Sequence, residues 1–168
     1  MNLICAIDEQ FGIGKDGKLL QRIPDDLKHF KTLTENKIVI MGKTTFESLP
    51  NGPLENRVNI VLTRDKKFKN KDIIICNSVD EVIKKTNNLK DDKFIIGGGQ
   101  IYKEFLPYCD RAYITKIFDV YDADTFMVNL DNESDWVIES WGEVKRWRNV
   151  QYQYYTYVRK NLLLKMWF

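Results

Sequence analysis

A chain of 168 residues that is 43% hydrophobic and 30% charged, with a formal net charge of +2, fits one soluble domain built around a single substantial core. Acidic and basic residues are interleaved, which argues against the basic stripe of a nucleic-acid-binding surface, and KKFKNK at 66–71 reads as a solvated turn. Three widely spaced cysteines (Cys5, Cys76 and Cys109) and one histidine, His29, speak against a disulfide framework, a zinc site and a Ser/His/Asp triad.

The opening MNLICAIDEQ lacks a basic leader and reaches Asp8 too early for a signal peptide, so a reducing cytoplasm is expected. Its alternating apolar residues predict a first strand over 2–8. EQFGIGKDGKLLQRI follows as a long loop. Gly12, Gly14 and Gly17 make it mobile, and Ile13, Leu19 and Leu20 give it an apolar underside, as a lid over a cleft would need. A helix then starts at Pro24, whose fixed φ and missing N–H suit the first helical position. Helical spacing aligns Asp26 with Phe30 and Leu33 on the apolar side, while Asp25 and Lys28 point away. From this stretch alone Asp26 is either a cap for a neighbouring backbone group or a carboxylate set in a site. His29 reads as a surface residue of the same helix.

Further strands are predicted over 37–41, 58–63, 73–76, 93–96 and 111–118. Helices start between them at Thr44, with TTFE as a capping box, at Ser78, with SVDE as another, and at Gly99 in GQIYKEFLP. Beyond residue 119, WVIESW and QYQYYTYV alternate as two strands joined through GEVKRWRN by a long or bulged hairpin. The expected fold is a single-domain α/β structure, a mixed but mostly parallel sheet flanked by about four helices and ended by an antiparallel hairpin. The apolar tail at 161–168 is too short to span a bilayer and carries no assigned function.

Ligands of such sheets bind beyond the carboxyl ends of strands. Three loops there carry chemistry. KIVIMGKTTFESL places Gly42, Lys43 and Thr44 between a strand and a helix start. It is not a P-loop, because position 37 is lysine where that motif needs glycine, so it is either an anion site or an ordinary tight turn. KFIIGGGQIYKEF runs a strand into Gly97, Gly98 and Gly99 without matching GxGxxG. Two such turns in one sheet favour a ligand with several phosphates. IVLTRD ends a strand at Thr63 and Arg64, whose planar fork suits a phosphate monoester.

LICAID, GIGKDGKL, IPDDLKHFK, IVIMGKTTFESL, RVNIVLTRD, FIIGGGQIYKEFLP, YITKI and DADTF stand in an order and spacing that resemble the dihydrofolate reductase family from residue 2 to about 160. The resemblance implies an eight-stranded α/β fold that uses NADPH to reduce 7,8-dihydrofolate to tetrahydrofolate for one-carbon metabolism, binds antifolate inhibitors, and acts as a cytoplasmic monomer without a metal. Asp26 matches the family's sole acidic active-site residue, which pairs with the 2-amino group and N3 of the pterin. Water admitted by the lid then protonates N5 as hydride reaches C6. Ile4, Cys5, Ala6, Leu27, Phe30, Leu49, Leu54, Ile96 and Tyr102 match its walls around the substrate rings, Thr115 its partner for Asp26 through water, and Arg57 its clamp for the substrate's α-carboxylate.

For the cofactor the resemblance implies Ala6, Ile13, Gly14, Gly42, Lys43, Thr44, Thr45, Leu62, Thr63 and Arg64. It adds Gly97, Gly98, Gly99, Gln100, Ile101 and Tyr102, with a cis peptide between the first two glycines. Leu19, Leu20 and Gln21 form the lid. Leu20 and Gln21 replace a frequent proline-tryptophan pair, Lys43 a common arginine, and Ala123 a frequent glycine. Two other readings remain: a pterin- or riboflavin-pathway reductase of the same fold, whose substrates have no glutamate tail for Arg57, and a non-catalytic nucleotide-binding module.

Overall fold

A computed structural model describes residues 1–167, with side chains to residue 165. Strands β1 (Asn2–Ile7), β4 (Ile38–Gly42), β5 (Val58–Leu62), β6 (Ile74–Cys76), β7 (Lys93–Gly97), β8 (Arg111–Ile117), β10 (Trp136–Trp141) and β12 (Val150–Arg159) form one sheet in the order β10-β12-β8-β1-β7-β4-β5-β6. The five pairings from β8 through β6 are parallel, and β12 runs antiparallel to both β8 and β10. The mixed, mostly parallel architecture is the expected one. A short β11 (Lys145–Trp147) adds a ninth strand, because the residues joining the last two long strands pair with β12.

Both faces of the sheet are covered, which is why its central strands read as continuous apolar runs. In β1 and β4 alternate residues go to opposite sides. Leu3, Cys5, Ile7, Ile38 and Ile40 belong to one core cluster, and Ile4, Val39 and Met41 to the other. Helices α3 (Val79–Thr86) and α4 (Gly99–Phe105) bring Val82, Tyr102 and Phe105 to the first. Helix α1 (Pro24–Thr34) brings Phe30 and Leu33 to the second, on the row that also carries Asp26. Burial of each large aliphatic side chain contributes about 1.5–3 kcal/mol, so these two layers fix where the loops end.

Two local expectations are corrected. The second helix, α2 (Lys43–Glu47), starts one residue before Thr44, and no side chain caps it. Gly42 ends β4 and serves directly as N-cap, so the TTFE box does not form, and Glu47 instead approaches Lys43 at 3.8 Å. SVDE forms half of its box: Ser78 accepts from the Glu81 amide at 3.1 Å, but the Glu81 carboxylate accepts from the Asn77 amide, at 2.7 Å, rather than from that of Ser78.

The supposedly mobile loop after β1 is a small sheet of its own. β2 (Gly12–Lys15) and β3 (Lys18–Leu19) form a hairpin, and β2 also pairs with β9 (Thr125–Phe126). Asp16 and Gly17 both have positive φ, as the tightest hairpin turns require, and the Asp-Gly pair was the signal for it. The tail is helical, α5 (Lys160–Trp167). Its last residue lies outside the described residues.

Candidate functional site

The carboxyl ends of β4 and β7 are neighbours, so the turns that follow them face each other. Between them lies a cleft of about 490 Å³ lined on one side by Gly42, Lys43, Thr44, Thr45 and Leu62, and on the other by Ile96 through Tyr102. Small residues keep it open. A side chain at Gly42 would meet Ile101 at 3.0 Å, and one at Gly99 would meet the Phe126 carbonyl at 2.7 Å. Gly97 has φ +117 and lies against the Tyr102 ring, and its peptide to Gly98 is cis, as the resemblance implies. Two glycine-rich backbone turns facing across such a gap fit a pyrophosphate. Tyr102 is fixed by donating to the Ile4 carbonyl at 2.7 Å. Cys5, on the cleft floor, is no nucleophile, since burial pushes its thiol up to about 12.

Thr63 and Arg64 lie in an adjoining cavity of about 430 Å³ that shares Leu62, Gln100 and Ile101 with the cleft and continues to Asn77, Ser78 and Glu104. Asn77 escaped the sequence reading. Its amide donates to the Thr63 carbonyl at 2.8 Å and ties β5 to the start of α3.

Ile13, Gly14 and Leu19 overhang the cleft, joined by Gly17, Lys18 and Thr125, while Leu20 and Gln21 do not line it. The hairpin is held by the segment before β9. Lys15 donates to Asp122 at 2.9 Å, the Asp16 amide to Asp124 at 2.9 Å, and the Asp124 amide to the Gly14 carbonyl at 3.0 Å. At its root the buried Asp8 carboxylate accepts from the amides of Gln10, Gly12 and Tyr121 at 2.9, 2.8 and 3.0 Å. Asp8 thus joins both loops, which only tertiary structure reveals. Ala123 sits where a side chain at Gly12 would come within 2.6 Å of it.

Asp26 approaches the cleft floor from α1. Its Oδ1 accepts from the Thr115 hydroxyl at 2.6 Å, a direct bond where the resemblance implied a bridging water, because that distance leaves no room for one. Thr115 stands beside Ala6 in the β1–β8 register, about 4.8 Å away across the strands, which brings the carboxylate alongside the cleft wall. Burial raises the Asp26 pKa above the ordinary carboxylate range, opposed by the Thr115 bond and the neighbouring His29. His29 is not a plain surface residue. It stacks on Tyr154 of β12 with ring centroids 4.1 Å apart, and burial lowers its pKa.

None of Leu27, Phe30, Leu49, Leu54 and Arg57 lines the main cleft; Phe30, Leu49 and Leu54 share one apolar cluster that forms a separate wall, while Leu27 follows Asp26 on α1. Arg57 donates to the Thr34 hydroxyl at 3.0 Å and to the Glu55 carbonyl at 2.9 Å, with its guanidinium 5.9 Å from the Phe30 ring. Those bonds use two donors and aim the fork, which carries more. Asn59 organises this wall and was missed. Buried in β5, it donates to the carbonyls of Leu54 and Arg57 at 2.9 and 3.0 Å and accepts from the Leu54 amide at 2.9 Å. A lone amide inside the apolar VNIVL run was its signal.

Residues 1–159 match the family model described as dihydrofolate reductase. The chain is 36% identical to dihydrofolate reductase of Staphylococcus haemolyticus over 164 residues, covering 96% of each, and 35% identical to that of Bacillus subtilis over 163 residues, covering 96% of this chain and 95% of the relative. Among solved structures, dihydrofolate reductase from Enterococcus faecalis complexed with NADP(H) and RAB-propyl superposes with a TM-score of 0.87 at 34% identity, covering 95% of both chains.

Proposed function

The chain belongs to the dihydrofolate reductase family, and we propose that its chemistry is carried by one ionisable group, Asp26, between a dinucleotide cleft and a carboxylate clamp. The protein is an NADPH-dependent oxidoreductase that reduces 7,8-dihydrofolate to 5,6,7,8-tetrahydrofolate. Neither a same-fold reductase of another pathway nor a non-catalytic nucleotide module is favoured.

When bound, NADPH supplies the hydride for C6. Asp26 takes the pterin edge, its ionised form accepting from the 2-amino group and N3 and favouring the protonated ring. Thr115 orients that carboxylate. Water passing the β2–β3 hairpin delivers the N5 proton. Gly42 through Thr45 and Gly97 through Ile101 hold the pyrophosphate and ribose, Tyr102 supports the nicotinamide end, and Leu27, Phe30, Leu49 and Leu54 hold the benzoyl ring. The observation that carries this reading is the direct Thr115–Asp26 bond at the strand position of Ala6, a cleft residue. NADPH oxidation on adding dihydrofolate tests it, with no loss of NADPH absorbance expected when the enzyme or dihydrofolate is omitted.

Discrimination for NADPH rests on Arg64, whose fork takes two oxygens of the 2′-phosphate. Arg64→Ala is expected to weaken NADPH about tenfold while leaving NADH nearly unchanged, as fluorescence titration with each cofactor would report. For Asn59→Ala a stability loss on the order of 1–3 kcal/mol and a raised KM for dihydrofolate are expected, because three backbone groups lose their partner. Urea unfolding and steady-state kinetics check both, and an unchanged KM would make Asn59 purely structural.

Residues 1–160 act as the working unit, with α5 an appendage of no assigned role. The three buried free cysteines suit a reducing cytoplasm, and among the described residues no helix is long and apolar enough to cross a membrane. The working unit in this reading is a monomer, as the family resemblance implies.

A further inference from the structure

Lys43 lines the cofactor cleft, yet its charge is already engaged. Its ammonium donates to Asp65 Oδ2 at 2.8 Å, stands 3.8 Å from Glu47, and lies 5.2 Å from the face of the Phe68 ring. Asp65 is itself well placed to keep this hold. Its other oxygen accepts from the Lys67 amide at 2.9 Å and its own amide donates to the Thr63 hydroxyl at 3.1 Å, so the turn after β5 fixes the carboxylate. The Lys43 bond in turn keeps the Asp65 carboxyl below the usual range, and the Asp65 bond raises the Lys43 ammonium, so both remain charged at neutral pH. Arg64, the residue before Asp65, forms no ion pair among the described residues. Two cations on adjacent loops therefore differ: one is open, the other is held by a carboxylate on the same turn.

We propose that Asp65 is a specificity-determining residue, whose carboxylate competes with the 2′-phosphate of the cofactor for Lys43 and so limits the preference for NADPH over NADH. This rests on the reading above, in which the phosphate is met between Arg64 and Lys43. An incoming phosphate must share Lys43 with Asp65 or displace it, and the fixed carboxylate then stands as a like charge beside it. NADH carries no such group and meets neither effect. Because the pair is exposed, the competition is screened and its size modest.

Asp65→Asn keeps an oxygen for the Lys67 amide and removes only the charge, so the turn is preserved. Affinities of NADPH and NADH are measured by fluorescence titration for the parent, Asp65→Asn, Lys43→Ala and the double variant, in low and high salt. Asp65→Asn should tighten NADPH by about two- to fivefold in low salt, the range of an exposed pair, with NADH unchanged. The gain should fade in high salt and should be smaller when Asp65→Asn is made on Lys43→Ala, where there is no lysine to release and only the like charge is relieved. Weaker NADPH binding in Asp65→Asn would make Asp65 a support for Lys43, and an unchanged ratio of the two affinities would remove it from specificity. Either result overturns the proposal. A parent that bound both cofactors equally would instead overturn the reading on which it rests.

Discussion

Asp26→Asn is expected to lower hydride transfer at neutral pH by about 10²- to 10⁴-fold, the scale of a positioned acid-base group. The amide of asparagine would turn a donor toward the donor edge of the pterin and cannot favour its protonated form. The loss should shrink at acid pH, where solvent supplies protonated substrate. The same substitution should not weaken the fold. A carboxyl whose pKa is raised by burial, as this one is, contributes stability below its unfolded value of about 3.9 and loses it as pH rises through the folded value. At pH 7 the ionised, buried Asp26 is thus a cost that asparagine does not carry. Urea unfolding at pH 7 should place the variant level with the parent or above it, with the difference shrinking toward pH 4. A variant that unfolded much earlier would mean that lost activity reflects lost structure.

Arg57→Leu should raise the KM for dihydrofolate with much less effect on hydride transfer. Losing a charge-assisted bidentate contact costs on the order of 2 to 5 kcal/mol, and the clamp is set apart from the cleft in which transfer occurs. A pterin lacking the glutamate tail is the control. Its binding should hardly change, because Arg57 meets only the tail. Equal weakening of the truncated and full ligands would instead trace the effect to the bond to Thr34, which ties the Arg57 loop to the end of α1. Leucine removes the bonds to Thr34 and Glu55 together with the charge, so the truncated ligand is what separates the two effects.

Much of this was legible from residue order. Apolar runs of four or five residues located the parallel strands, since a strand covered on both faces needs no polar alternation, and Pro24 marked the start of α1. The row of Asp26, Phe30 and Leu33 foretold a carboxylate on a buried face. What could not be read were contacts between segments distant in the chain. Asp8 is unremarkable beside Glu9 until the fold brings Tyr121 to it, and Asp65 sits in a charged turn until Lys43 arrives from 22 residues away. The β2–β3 hairpin was within reach, because Asp16-Gly17 is a strong turn signal, but the surrounding glycines pointed to a mobile loop. Thr44 failed as an N-cap for a different reason: Gly42 is compact enough to end a strand and begin a helix at once.

The central claim is that a single ionisation, that of Asp26, controls the chemistry. It is met most directly by the pH dependence of hydride transfer in single-turnover mixing of enzyme, NADPH and dihydrofolate, for the parent and Asp26→Asn. The parent rate should fall with rising pH through one apparent ionisation of the complex, the loss of the proton that the Asp26 carboxylate holds on the bound pterin, and the variant should lack that ionisation and follow only solvent protonation of the substrate. A variant whose profile kept the parent's shape and height would contradict the account.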